Sequence, residues 1–122
     1  MLEINSLYLT IHKTIKNHSL GVLECHEIEN NNYFVIMKDD DVVFLGFQPL
    51  KPVKIVVGLN GINVLSGKDF GLKLKKGDYL LSPPQLWLDG QFNCHNYIQI
   101  AVFEKNRRKI VKIYLTTEEN ML

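Results

Sequence analysis

The sequence predicts an all-β domain, an antiparallel β-sandwich of jelly-roll-like or Greek-key type, with a closed barrel as the alternative. Three observations carry this. Apolar and polar residues alternate with period two along most of the chain, the pattern of a strand with one buried face. Turn-forming residues recur at roughly 8–12-residue spacing, as in sandwiches and barrels. No stretch of about ten residues or more sets apolar positions at helical spacing between capping residues, so at most an isolated helical turn is expected.

The elements follow in order. Leu7, Leu9 and Ile11 alternate with Tyr8, Thr10 and His12 in a first strand, and residues 21–28 offer a second. Asn30, Asn31 and Asn32 form a polar turn tolerant of positive φ. Residues 33–37 are a third strand, Asp39–Asp41 a turn, and residues 42–47 a fourth strand. Pro49 and Pro52 bracket an irregular link, because proline cannot donate to a central ladder. Residues 53–57 are apolar apart from Lys54, which suits a strand buried on both faces.

Asn60-Gly61 is a strong hairpin signal. In residues 68–74, Phe70, Leu72 and Leu74 alternate with Gly71 and Lys73, predicting another strand, and Lys76-Gly77-Asp78 turns the chain again. Residues 79–81 lead into Pro83-Pro84, whose rings stiffen an extended segment. The clearest unit is a C-terminal hairpin of residues 97–104 and 109–115, joined by the charged link 105–108. In all, about nine or ten strands are expected in a single domain over residues 1–122.

Composition narrows the function. With 122 residues, 46% hydrophobic and 22% charged, the chain has enough apolar material for one core without disulfides or metal. A formal charge of +1 offers no broad basic field for nucleic acid or an anionic membrane. No apolar run approaches the length of a membrane span, and the N-terminus lacks the basic-then-apolar order of a signal peptide. A cytoplasmic protein is expected. The two cysteines, Cys25 and Cys94, are too few for a disulfide framework.

Each cysteine precedes a histidine, in Cys25-His26 and Cys94-His95. Thiolate and imidazole are zinc ligands, but neighbours on one strand point to opposite faces, and zinc ligand pairs are usually two to four residues apart. The expectation is therefore no metal and no cofactor, with each Cys buried beside an exposed His. A nucleophilic Cys94 would need a base within reach, and His12, His18, His26 and His95 are available, but no phosphate loop, nucleophile elbow or metalloprotease motif accompanies them. Asp78, Asp89 and Glu104 read as turn and surface acids.

The most distinctive segment is GDYLLSPPQLWLDGQF at residues 77–92. A proline-stiffened loop bearing the sole tryptophan, Trp87, with Asp89 in a tight Asp-Gly turn, could bind a sugar or a partner side chain. Its ordinary reading has Trp87, between Leu86 and Leu88, plugging the end of the core. The candidate binding residues are Trp87, Asp89, Gln85 and Asn93, with Asn96 nearby; no catalytic residue is assigned.

At NGINVLSG (60–67), DYLLSPPQLWLDG (78–90) and YIQIAV (97–102) the chain resembles an uncharacterised β domain of fungal, amoebal and bacterial proteins. The resemblance covers roughly residues 33–103, and this chain departs from the pattern in its charged hairpin after Phe103. It implies that residues 60–90 form a family-defining element, and it carries no catalytic residue. The expected function is a non-catalytic interaction module that binds a protein partner or itself, as a homo-oligomer or a subunit of a larger assembly. The alternative is a lectin-like carbohydrate-binding domain. A Cys94/His95 enzyme ranks below both.

Overall fold

Alternation and turn chemistry produce twelve strands and, among the described residues, no helix. The structure, a computed structural model, describes residues 2–15 and 18–118, and the side chains of residues 15, 18–20 and 89–91 lie outside that description. The strands are β1 (Leu2–Ile4), β2 (Leu7–Ile15), β3 (His18–Leu23), β4 (His26–Glu29), β5 (Asn32–Ile36), β6 (Val42–Pro49), β7 (Val53–Leu59), β8 (Ile62–Asn63), β9 (Leu80–Ser82), β10 (Leu86–Asn93), β11 (Tyr97–Glu104) and β12 (Arg107–Thr116).

They form two open, mostly antiparallel sheets, and among the described residues neither closes into a barrel. In the first sheet β2 pairs with β6, and β6 with β10, while β1 and β3 share the other edge of β2. The second runs β4-β5-β12-β11-β7, with β8 and β9 side by side on the outer edge of β7. Its β5–β12 pair is parallel and places Val35 and Ile36 beside Leu115 and Thr116.

One cluster of buried side chains draws on both sheets. Leu7, Leu9, Ile11, Val43, Leu45 and Phe47 come from the first, and Ile55, Val57, Ile98, Ile100, Val111 and Ile113 from the second. Burying apolar area at about 25 cal/mol per Å2 is the main stabilising contribution here. Glu104, itself buried, ties the sheets by accepting a hydrogen bond from Ser6 Oγ at 2.8 Å.

Turn residues sit where backbone geometry requires them. Asn30 and Asn31 (φ 46° and 67°) join β4 to β5, and Asn60 and Gly61 (φ 52° and 86°) join β7 to β8. Val53, Ile55, Val56 and Val57 are all nearly inaccessible, while Lys54 between them is exposed.

Four expectations are corrected. The predicted strand over 21–28 is interrupted at Glu24-Cys25 and contributes to both sheets, as β3 and β4. Residues 68–74 form no strand beyond a single bridge from Asp69 to Ile62, because β8 and β9 already occupy the outer edge of β7. Their alternation instead reflects one-sided burial against a sheet face, with Phe70 lying over Gly58. The C-terminal hairpin turns on Lys105-Asn106 alone, since Arg107 pairs with Glu104 and Arg108 with Phe103. Pro83 and Pro84 form a bend with both preceding peptide bonds cis, and residues 86–93, read as a loop with an Asp-Gly turn, are strand β10.

Candidate functional site

The outward face of the first sheet is built by the residues that alternate with its core positions. On β2 these are Tyr8, Thr10, His12 and Thr14; on β6 they include Phe44, Gly46 and Gln48; on β10, Trp87. Register sets them in rows. His12 lies opposite Phe44 on one side and Val22 on the other, and Gly46 lies between Thr10 and Trp87.

Trp87 is 55% exposed, so the expectation of a core plug is overturned. Strand alternation explains it: Leu86 and Leu88 pack against the core, which obliges the residue between them to face out. The indole lies over Gly46, where an added Cβ would come within 2.7 Å of Trp87 Cζ3 and 2.6 Å of Thr10 Oγ1. Covering a strand glycine with an aromatic ring protects its backbone and packs the gap left by the missing side chain.

His12 and Phe44 hold the indole from the side. Their rings stack at 4.7 Å, and both meet Trp87 edge-on, at 5.3 and 5.6 Å. Thr10 Oγ1 shares a 2.7 Å hydrogen bond with His12 Nε2. Burial lowers the His12 pKa, favouring the neutral ring that such stacking suits. With Val22, itself 53% exposed, these residues make an aromatic and apolar strip across β3, β2, β6 and β10.

The other predicted binding residues do not gather at Trp87. Gln85 is exposed just before β10. Asn93 pairs with Val42, four residues along β6 from Gly46 and hence about 13 Å from Trp87. Asn93 instead joins an amide cluster, in which Asn96 Nδ2 donates to Asn93 and Asn60 Nδ2 donates to Asn96 Oδ1 at 2.7 Å. The Asp89 side chain lies outside the described residues, as does that of His18.

A second constellation forms where the chain leaves β10. Cys94 and His95 occupy the turn into β11, with His95 at φ 72°. The opposite-faces argument therefore does not apply to them. Cys94 is buried, His95 is exposed, and both lie near Asp39 of the β5–β6 loop. Burial and the Asp39 carboxylate push the Cys94 thiol pKa up, the reverse of an activated nucleophile. Both cysteines are free, and partial burial pushes Cys25 up to about 11.

Sequence reasoning missed the surroundings of Trp87 and the approach of Asp39. Gly46 in an otherwise apolar strand was the available signal for the first. Among the described residues no helix is long and apolar enough to cross a membrane. No family model, curated protein or solved structure matches this chain.

Proposed function

We propose that this chain is a non-catalytic β-sandwich module of jelly-roll-like or Greek-key type, which self-associates through the outer face and free edge of the sheet containing β10. The shared core supports the sandwich reading. The observation that carries the function is the exposed indole of Trp87 on an edge strand. Among the described residues β10 pairs with β6 alone, so its other edge has backbone groups available to a partner. Its eight residues, LWLDGQFN, include one charge, so the edge lacks the lysines and repeated charges that usually deter pairing. A large ring fixed by Gly46, His12 and Phe44 loses little conformational entropy on docking, the property of an interface anchor.

Sedimentation velocity across a wide concentration range, with the emission of the single tryptophan followed in parallel, tests this reading. Association and a blue shift on concentration are expected, and association should be lost in a folded Trp87→Ser variant. A strict monomer whose emission stays that of an exposed indole would overturn it.

The outward indole face also favours a second reading, carbohydrate binding, since a sugar ring stacks on such a surface. The distance of Asn93 from Trp87 ranks it second. Tryptophan quenching by a glycan in a protein that stays monomeric would reverse that order.

A further inference from the structure

We propose that Asp39, Cys94 and His95 bind one zinc ion, with an open fourth position. Each supplies a ligand atom of a type zinc takes, carboxylate oxygen, thiolate sulfur and imidazole nitrogen. The atoms are already close to coordination spacing. Asp39 Oδ1 is 3.9 Å from Cys94 Sγ and 3.6 Å from His95 Nε2, and the three ligand atoms lie within 4.8 Å of one another. A tetrahedral zinc with bonds of about 2.3 Å to sulfur and 2.0–2.1 Å to nitrogen and oxygen separates its ligand atoms by about 3.3–3.6 Å. Small side-chain adjustments close that difference.

The backbone holds both contributing loops against the end of β12. Met37 N donates to Thr116 O at 2.8 Å just before the Asp39 loop, and His95 N donates to Leu115 O at 2.8 Å in the other. Lys38 N donates to Asp41 Oδ2 at 2.9 Å, and Asp41 N to Lys38 O at 3.0 Å, which closes the turn around Asp39. Ligands carried on loops anchored at both sides start near the bound geometry. Cys94 lies buried between them, while the Asp39 and His95 side chains are 74% and 62% exposed, so the metal enters from solvent.

Binding exchanges a proton for the metal. The Cys94 S–H bond breaks, the proton goes to solvent, and sulfur coordinates as thiolate. One thiolate and one carboxylate then balance the double positive charge, and a neutral imidazole completes the set. Three protein ligands leave the fourth position to water, whereas purely structural sites are closed by four. This site is independent of the Trp87 face and stands or falls separately from it.

Cobalt(II) titration of the metal-free full chain, read by thiolate-to-cobalt charge-transfer absorption and by native mass spectrometry, tests the proposal. One ion per chain is expected, with the absorption bleached by added Zn2+. Cys94→Ser should abolish the charge-transfer band, while Cys25→Ser should keep it. Asp39→Asn and His95→Ala should each weaken cobalt binding at least about 10-fold. These two alter exposed side chains, so they decide the matter if Cys94→Ser fails to fold. Absence of the band in the unmodified protein, or undiminished binding in both exposed-residue variants, would overturn it.

Discussion

The six-membered ring of Trp87 rests over the α-carbon of Gly46, and no side chain larger than hydrogen fits between them. The contact crosses the β6–β10 pair at directly opposed positions, so it fixes both the register of an edge strand and the attitude of its one large exposed ring. Neither residue has this role without the other.

Gly46→Ala is therefore expected to disturb more than a single position. The new methyl meets Thr10 Oγ1 and the rigid indole, both well inside van der Waals contact. Overpacking of this kind costs about 1–3 kcal/mol. Urea denaturation should show the loss, and the tryptophan emission should shift to the red as the ring lifts from the sheet. An unaltered emission spectrum would contradict the packing described.

Glu104 sets an acid limit on the fold. Its carboxylate accepts from Ser6 Oγ at 2.8 Å and from Arg107 Nη2 at 2.9 Å, and these bonds hold its pKa below the usual value, the Ser6 bond contributing most. A depressed folded-state pKa stabilises the fold above the unfolded-state value, and that contribution is lost as pH falls through the folded-state value. The stability gap between the natural chain and Glu104→Gln should thus narrow as pH drops below about 4. In a carboxyl titration followed by NMR, Ser6→Ala should raise the Glu104 pKa more than Arg107→Met does. Ser6 is buried, whereas the Arg107 side chain is 61% exposed and screened by water.

Thr14 Oγ1 is buried with no hydrogen-bond partner among the described residues, in strand β2 between Val42 and Ser19. Thr14→Val keeps the shape and removes the unsatisfied hydroxyl, so a gain of about 1 kcal/mol is expected. For a chain of this size that corresponds to roughly 3–5 °C in Tm. A lower Tm would mean that the hydroxyl is in fact satisfied.

Cys25 sets an alkaline limit in the same way. Burial raises its pKa to about 11, so the thiol form is favoured in the folded state. A raised folded-state pKa gives stability that is complete below the unfolded-state value, and it is lost as pH rises from about 8.5 through the folded-state value. Cys25→Ser should flatten this part of the stability profile. Alkylation of the folded natural chain at pH 8 should be slow at Cys25 compared with the urea-unfolded chain.

The strand content was legible because period-two alternation is local. Leu7, Leu9 and Ile11 are buried as their spacing implies, and Asn30-Asn31 and Asn60-Gly61 turn where their backbone tolerance allows. The same rule failed at Phe70, Leu72 and Leu74, because alternation reports one-sided burial and an irregular segment laid on a sheet also satisfies it. For Trp87 the fault lay in weighing residue type above register. By residue type two flanking leucines suggest a core tryptophan, although in a strand they place Trp87 on the opposite face.

The amino-acid order by itself determined an all-β domain, the places of most strands and the C-terminal hairpin. Only the tertiary structure decided which strands share a sheet, that β5 runs parallel to β12, and that Trp87 faces out over Gly46. It also decided that Asp39 meets Cys94 across 55 residues of chain, with His95 beside it. The physical reason is that alternation and turn chemistry are set by neighbours a few residues apart. Strand partnership and the meeting of distant loops depend on how two sheets bury one shared core, which no short window of sequence contains.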